Sequence, residues 1–161
     1  MNIIVAVDNN WGIGFKNQLL CSIPEDRKQF KEKTEGATIF MGRKTLESLP
    51  GGNPLKNRRN IVLTRDLNFK KDNVEVAYNR EDLFSLIQSD PTEKVFCIGG
   101  GSLFQQMFSY ADTCFITKID HEFKADTYFP NLDKYPTWDL VEESDWKEFE
   151  GLKYSFQVWK R

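Results

Sequence analysis

One histidine, His121, and three cysteines without Cys-x-x-Cys spacing are all that 161 residues offer to a soft metal, so no zinc-type cluster can be assembled from them. His121 lies between Asp120 and Glu122, and no Ser/His/Asp set can be argued around it. The cysteines, Cys21, Cys97 and Cys114, are an odd number and cannot all pair internally. Two of them fall in apolar runs, where a reduced thiol packs as a small hydrophobe, and a reducing cytoplasm is the expected setting. Excess charge is missing too: 22 basic against 24 acidic residues leave −2, which gives no global attraction to nucleic acid or to an anionic membrane. Any anion site must therefore be local. Long apolar runs are absent. Residues 1–7 lack a basic n-region and stop at Asp8, too short for a signal peptide or a membrane span, and read as a first buried strand. Repeats, low-complexity tracts and linkers are also lacking.

With 40% hydrophobic and 14% aromatic residues, the chain can bury a sizeable core and reads as one domain over 1–161. Apolar, β-rich runs occur at 2–7, 38–41, 60–64, 74–77, 94–98 and 113–119, several of them separated by helical patterns. A helix is expected over 80–89, with Leu83, Leu86 and Ile87 on one face, Asn79 as N-cap and Pro91 beyond its end. The last forty residues change character. Strands over 138–144 and 152–160 are expected to pair around a connection containing Gly151, and Tyr154, Phe156 and Val158 alternate with polar Ser155 and Gln157. The fold class is α/β, a mainly parallel sheet with an antiparallel edge.

Three consecutive glycines, Gly99, Gly100 and Gly101, followed by Ser102, stand between a strand-like run and a helix-like run that begins at Leu103. Such a run implies positive φ, an unusual peptide or an approach too close for a Cβ, and at the opening of a helix its N–H groups suit an anion such as a pyrophosphate. Taken alone it reads equally well as a tight turn with Ser102 as N-cap. A second strand-to-helix junction, Met41-Gly42-Arg43-Lys44-Thr45, repeats the logic with two cations and a hydroxyl. Ligands of open α/β sheets gather at the carboxyl ends of strands, and both junctions lie there. Thr64 and Arg65 add a hydroxyl and a cation after a third strand, the kind of group that distinguishes a 2′-phosphate from a free ribose hydroxyl.

Asp26 sits in Ile23-Pro24-Glu25-Asp26, with Pro24 at the first helical position and Phe30 four residues on, on the same face. Acids are common in a first turn, where the helix end contributes about 0.3–1 kcal/mol. Moving a carboxylate into an apolar site costs several kcal/mol unless it is paired. An inward-facing Asp26 therefore needs a donor-rich partner that its sequence neighbours do not supply. Asn9-Asn10-Trp11-Gly12-Ile13-Gly14 reads as a glycine-punctuated loop able to act as a mobile flap. Arg58-Arg59 could anchor a carboxylate or could be two solvated cations.

Together these segments resemble the dihydrofolate reductase family, in order and over essentially the whole chain. The resemblance is carried by Trp11-Gly12-Ile13-Gly14, Ile23-Pro24-Glu25-Asp26, Met41-Gly42-Arg43-Lys44-Thr45-Leu46-Glu47-Ser48, Arg58-Arg59-Asn60-Ile61-Val62-Leu63-Thr64, Ile98-Gly99-Gly100-Gly101 and Asp126-Thr127-Tyr128-Phe129-Pro130. It implies a single domain with a mostly parallel eight-stranded sheet, an antiparallel C-terminal hairpin edge and about four helices. It also implies hydride transfer from NADPH to 7,8-dihydrofolate, with antifolates as inhibitors and a monomeric state. By the same resemblance Asp26 is the catalytic residue that binds the pterin's N3 and 2-amino edge, supported by Thr117. Phe30, Leu49 and Leu55 pack the rings, Arg58 holds the glutamate α-carboxylate, and the Ile4 backbone meets the pterin. Ala6, Ile13 and Gly14 belong to the nicotinamide side, and Asn17 is a further cofactor-binding position. Arg43, Lys44, Thr45, Thr64, Arg65, Gly99, Gly100, Gly101, Ser102 and Leu103 surround the phosphates and adenosine ribose, and a cis peptide joins Gly99 to Gly100.

Three positions depart from the family pattern. Cys21 stands where many relatives carry tryptophan, Arg27 where an aliphatic residue is usual, and Phe104 where tyrosine is common. They leave the acid, the arginine and the glycine run in place, so activity with altered antifolate affinity is expected. Rival readings are an NADPH-dependent pyrimidinone reductase of riboflavin synthesis, which lacks this pterin site, and a non-catalytic nucleotide-binding module.

Overall fold

In the computed structural model, which describes all 161 residues, the chain opens with β1 (Asn2–Val7), β2 (Gly12–Phe15), β3 (Gln18–Leu19), α1 (Pro24–Thr34) and β4 (Thr38–Gly42). It continues through α2 (Arg43–Ser48), β5 (Arg59–Leu63), β6 (Val74–Ala77), α3 (Arg80–Ile87), β7 (Val95–Cys97) and α4 (Gly101–Met107). The remainder is mostly strand: β8 (Thr113–Ile119), β9 (Thr127–Tyr128), β10 (Asp139–Glu143), β11 (Lys147–Phe149) and β12 (Leu152–Lys160). No helix is long and apolar enough to cross a membrane.

The main sheet runs β10-β12-β8-β1-β7-β4-β5-β6, with β11 paired to β12. Every neighbour from β8 to β6 is parallel, and the three C-terminal strands close one edge antiparallel. Both faces of the parallel part are covered, which is why its strands read as continuous apolar runs. On β4, Phe40 enters the larger core with Ile3, Leu83 and Met107, while Ile39 and Met41 point to the opposite core with Leu46 and Val62. From β1 the chain passes to β4, leaving a gap that β7 later fills. The carboxyl ends of β1, β7, β4 and β5 therefore stand in one row.

The expected path of eight strands and the four helices are present, with three differences in detail. The helix expected over 80–89 ends at Ile87; its Asn79 cap is present, with Oδ1 accepting from the Asp82 amide at 2.7 Å. The C-terminal hairpin is tighter than the spacing implied. β11 lies inside the connection as a ninth strand, and Glu150 and Gly151 turn it at φ 49° and 83°. The alternation on β12 does not sort inside from outside: Ser155, Gln157 and Trp159 are buried, while Phe156 and Val158 are only half-buried. Gln157 is satisfied there, accepting from Trp159 Nε1 at 3.0 Å and donating to Glu143 Oε2 at 2.6 Å.

Candidate active site

Two glycine junctions meet at the row of strand ends. The Gly42 amide donates to the Gly99 carbonyl at 2.9 Å, joining the turn after β4 to the turn after β7. The peptide between Gly99 and Gly100 is cis. Protein packing explains two of the three glycines: Gly99 has φ 106° and lies under the Phe104 ring, and a Cβ at Gly101 would sit 2.3 Å from Thr127 Cγ2. Gly100 is different. A Cβ there would rest 3.5 Å from Thr45 Oγ1, an ordinary contact, so its smallness is not imposed by a neighbour. It faces the space between the junctions. Ser102 does not cap α4; the N-cap is Gly100, no side chain caps either junction helix, and Ser102 Oγ accepts from Gln106 within α4. Lys44 and Arg65 are exposed without an ion-pair partner, Arg43 reaches Glu47 at 3.7 Å, and Thr45 and Thr64 are half-buried. Leu103 is core, leaving only its backbone to a ligand.

Asp26 is turned inward. Pro24 starts α1, and its acid two residues on reaches β8, where Asp26 Oδ1 accepts from the buried Thr117 hydroxyl at 2.5 Å. Burial pushes the carboxyl above its usual range, partly offset by the Thr117 hydrogen bond and the Arg27 charge. Burial and then the Asp26 charge also push up the Cys21 thiol, so the residue in the departing position is a neutral, half-buried group. Arg27 is exposed and donates to Ser22 Oγ, away from any apolar wall. Phe104 is buried edge-on against Phe129 and serves the glycine turn through its ring.

The two arginines divide. Arg59 is consumed by structure, held by Glu75 at 2.5 and 2.8 Å and by Asp90 at 3.0 Å. Arg58 points the other way, its Nε on the Lys56 carbonyl at 2.9 Å and Nη1 on Thr34 Oγ1 at 3.1 Å. An open groove of about 410 Å3 passes Lys31, Pro50, Leu55 and Arg58. Buried Asn60 shapes this segment, accepting from the Leu55 amide and donating to the Leu55 and Arg58 carbonyls at 2.9–3.0 Å. Ile4, Leu49 and Leu55 pack against one apolar cluster, and Phe30 is half-buried on α1.

The flap expected over 9–14 is only partly a loop. β2 pairs with β3 and β9 in a second, three-stranded sheet, and Trp11 and Ile13 are buried. Four residues with two glycines carry too weak a strand signal for this to show in sequence, and the β9 partner lies more than a hundred residues away. Asp8 does work that the sequence reading missed. Fully buried, it accepts from the Asn10 and Gly12 amides at 2.9 and 2.8 Å and from the Phe123 amide at 2.9 Å. Asp126 ties the segment again, donating from its amide to the Gly14 carbonyl at 3.0 Å and accepting from the Lys16 amide at 2.9 Å. The signal for Asp8 was an acid placed directly between a buried strand and a glycine loop. Asn17 sits exposed at the β2–β3 turn with φ 63°.

The structure thus holds an inward-turned, half-buried acid with one protein donor, an apolar cluster, an arginine held by two hydrogen bonds and two glycine turns joined by a third. The family model described as dihydrofolate reductase matches residues 1–161. Dihydrofolate reductase from Staphylococcus aureus is 40% identical over 147 residues, covering 91% of this chain and 87% of that protein. The Staphylococcus haemolyticus enzyme is 36% identical over 171 residues, covering 100% and 95%. Among solved structures, dihydrofolate reductase from Enterococcus faecalis complexed with NADP(H) and RAB-propyl superposes with a TM-score of 0.86 at 28% identity, covering 99% of this chain and 95% of that one. A family model that spans every residue, together with a relative 40% identical over nine-tenths of the chain, leads to one conclusion: the chain belongs to the dihydrofolate reductase family.

Proposed function

We propose that this chain reduces 7,8-dihydrofolate to 5,6,7,8-tetrahydrofolate with NADPH, and that Asp26 is the group on which the reaction depends. The observation that carries this reading is an inward-turned, half-buried carboxylate with a single protein donor, Thr117, and therefore with acceptor capacity left for a ligand. A pterin offers parallel N–H donors at N3 and the 2-amino group, which supply the partner that burial demands. Thr117 orients the carboxylate. Ile4, Leu49 and Leu55, which share one apolar cluster, and half-buried Phe30 would form walls against which flat rings exclude water, and Arg58, held by the Lys56 carbonyl and the Thr34 hydroxyl, would take the glutamate α-carboxylate.

The cofactor fits the junctions on an observation of this chain: a Cβ at Gly100 would make only an ordinary contact with Thr45, so the position has room that no neighbouring side chain fills. Arg43, Lys44, Thr45, Thr64, Arg65 and the segment Gly99, Gly100, Gly101, Ser102, Leu103 would hold its phosphates and adenosine ribose. Ala6, Ile13 and Gly14 would border the nicotinamide, and Asn17 would be a further cofactor contact. When bound, NADPH supplies the hydride that reaches C6 of the pterin. Asp26 lies too far from N5 in this family's geometry to protonate it directly, so it would act through a water route or by polarising the substrate rather than by simple general-acid transfer. Three unpaired thiols, two of them buried, support residence in the reducing cytoplasm. A monomer of one domain is the form that the resemblance implies.

Mixing protein, NADPH and dihydrofolate and following absorbance at 340 nm tests the reading in one cuvette. Loss of absorbance that depends on dihydrofolate supports it. Loss with a riboflavin-pathway pyrimidinone instead, or binding of NADPH without turnover, contradicts it.

A further inference from the structure

A second carboxylate stands beside Asp26 and takes no part in the cleft. Glu25 precedes Asp26 in the first turn of α1, and successive helical side chains diverge by about 100°, so the two reach different strands. Asp26 meets Thr117 on β8, whereas Glu25 Oε2 accepts from the Tyr154 hydroxyl on β12 at 2.6 Å. Glu25 Oε1 lies 3.1 Å from Lys147 Nζ on β11. Register makes the two contacts neighbours. Tyr154 pairs with Ile119 and Phe156 with Thr117 across antiparallel strands, so all four side chains share the face beneath α1.

The donating tyrosine is 3% exposed, with its ring edge-on to Phe156 at 5.6 Å. Burial and the charges of Glu25 and Asp26 push its hydroxyl up to about 12, so it remains a donor at any working pH. The Tyr154 hydrogen bond and then Lys147 hold Glu25 below the usual carboxylate range, so it remains an anion. The other titratable groups facing Asp26 are Cys21, from the segment before α1, and Arg27 on α1 itself; Lys28 faces Glu25 from α1.

We propose that Glu25, Tyr154 and Lys147 are a positioning set for Asp26: they fix the first turn of α1 on the β11–β12 hairpin, and the opposed charges of Glu25 and Lys147 set the field in which Asp26 holds its proton. This rests on the reading of Asp26 given above.

The test is the pH dependence of single-turnover hydride transfer at low salt in Glu25→Gln, Lys147→Met and Tyr154→Phe, with Asp26→Asn alongside. The amide oxygen introduced by Glu25→Gln still accepts from Tyr154, so that variant removes charge and keeps geometry. Asp26 then loses its proton more readily, and the midpoint of the falling limb moves down by about 0.3–0.5 pH unit. Lys147→Met removes the compensating cation and moves the midpoint up by about the same amount. Tyr154→Phe keeps the ring and raises the KM for dihydrofolate several-fold, leaving the KM for NADPH unchanged. A merely structural role would lower melting temperature and activity together, without shifts of opposite sign. Midpoints that stay put in both charge variants, or that move the same way, overturn the proposal. Asp26→Asn separates the two failures: collapsed turnover there with unmoved midpoints elsewhere sinks this set alone, whereas retained turnover sinks the reading of Asp26.

Discussion

The Gly42 amide and the Gly99 carbonyl, 57 residues apart in sequence, share a 2.9 Å hydrogen bond that makes one cradle out of two turns. Its third wall is Thr127 of β9, whose Cγ2 would meet any Cβ at Gly101 at 2.3 Å. Gly101→Ala therefore destabilises the protein by about 2 kcal/mol through overpacking and weakens NADPH binding. Thr127→Ser removes the obstructing methyl while keeping its hydroxyl on Asp126 at 3.0 Å. Thermal melts of the two single variants and the double variant check this: the double recovers most of the loss, and strict additivity would remove Thr127 from the account.

On the proposed function, Arg58 serves substrate binding and Arg59 serves folding. Arg58→Leu raises the KM for dihydrofolate about 30-fold, an effect of about 2 kcal/mol for a lost charge-assisted pair, with kcat changed less than about twofold. Arg59→Leu leaves both constants near their starting values and lowers the melting temperature, because it breaks the Glu75 and Asp90 contacts. Steady-state kinetics with a melt of each variant gives the answer. An equal KM effect in both variants would contradict the division.

Stability should move opposite to activity at Asp26. Its carboxyl is raised in the folded chain, so the folded state favours the protonated form relative to the unfolded chain. That contribution is fully present below the ordinary carboxylate value and is lost as pH rises through the raised one. Asparagine is neutral throughout and still accepts from Thr117. Asp26→Asn therefore raises the melting temperature of the ligand-free protein by about 2–4 °C near pH 8, with the gain shrinking toward pH 4. A variant that melts lower at every pH would mean that the carboxylate is better paired than its burial implies.

Long uniform elements were legible in the sequence because one physical rule governs each. β1, β6, β8 and β12 have the expected bounds, since runs buried on both faces or bordered by turns leave little choice of register. The two glycine junctions and the acid of α1 were legible as local anomalies, glycine where order is costly and an acid that had to find a partner. The family resemblance singled out Arg58, but no local rule said that Arg59 is the one consumed: Glu75 and Asp90, which decide it, lie 16 and 31 residues from Arg59. β2, β9 and the anchoring of Asp8 on Phe123 are likewise products of distant contacts between short segments. The buried polar face of β12 failed the alternation rule because the sheet is covered on both sides there.

The most direct measurement is the pH profile of hydride transfer in the unsubstituted protein and in Asp26→Asn. The rate of the former falls as pH rises, with a midpoint above the ordinary carboxylate range, because a deprotonated Asp26 no longer supports protonation of the pterin. The Asp26→Asn variant should be slower by about 100-fold or more at neutral pH, without that midpoint. Near-normal turnover in Asp26→Asn with the same falling limb would contradict the account at its centre.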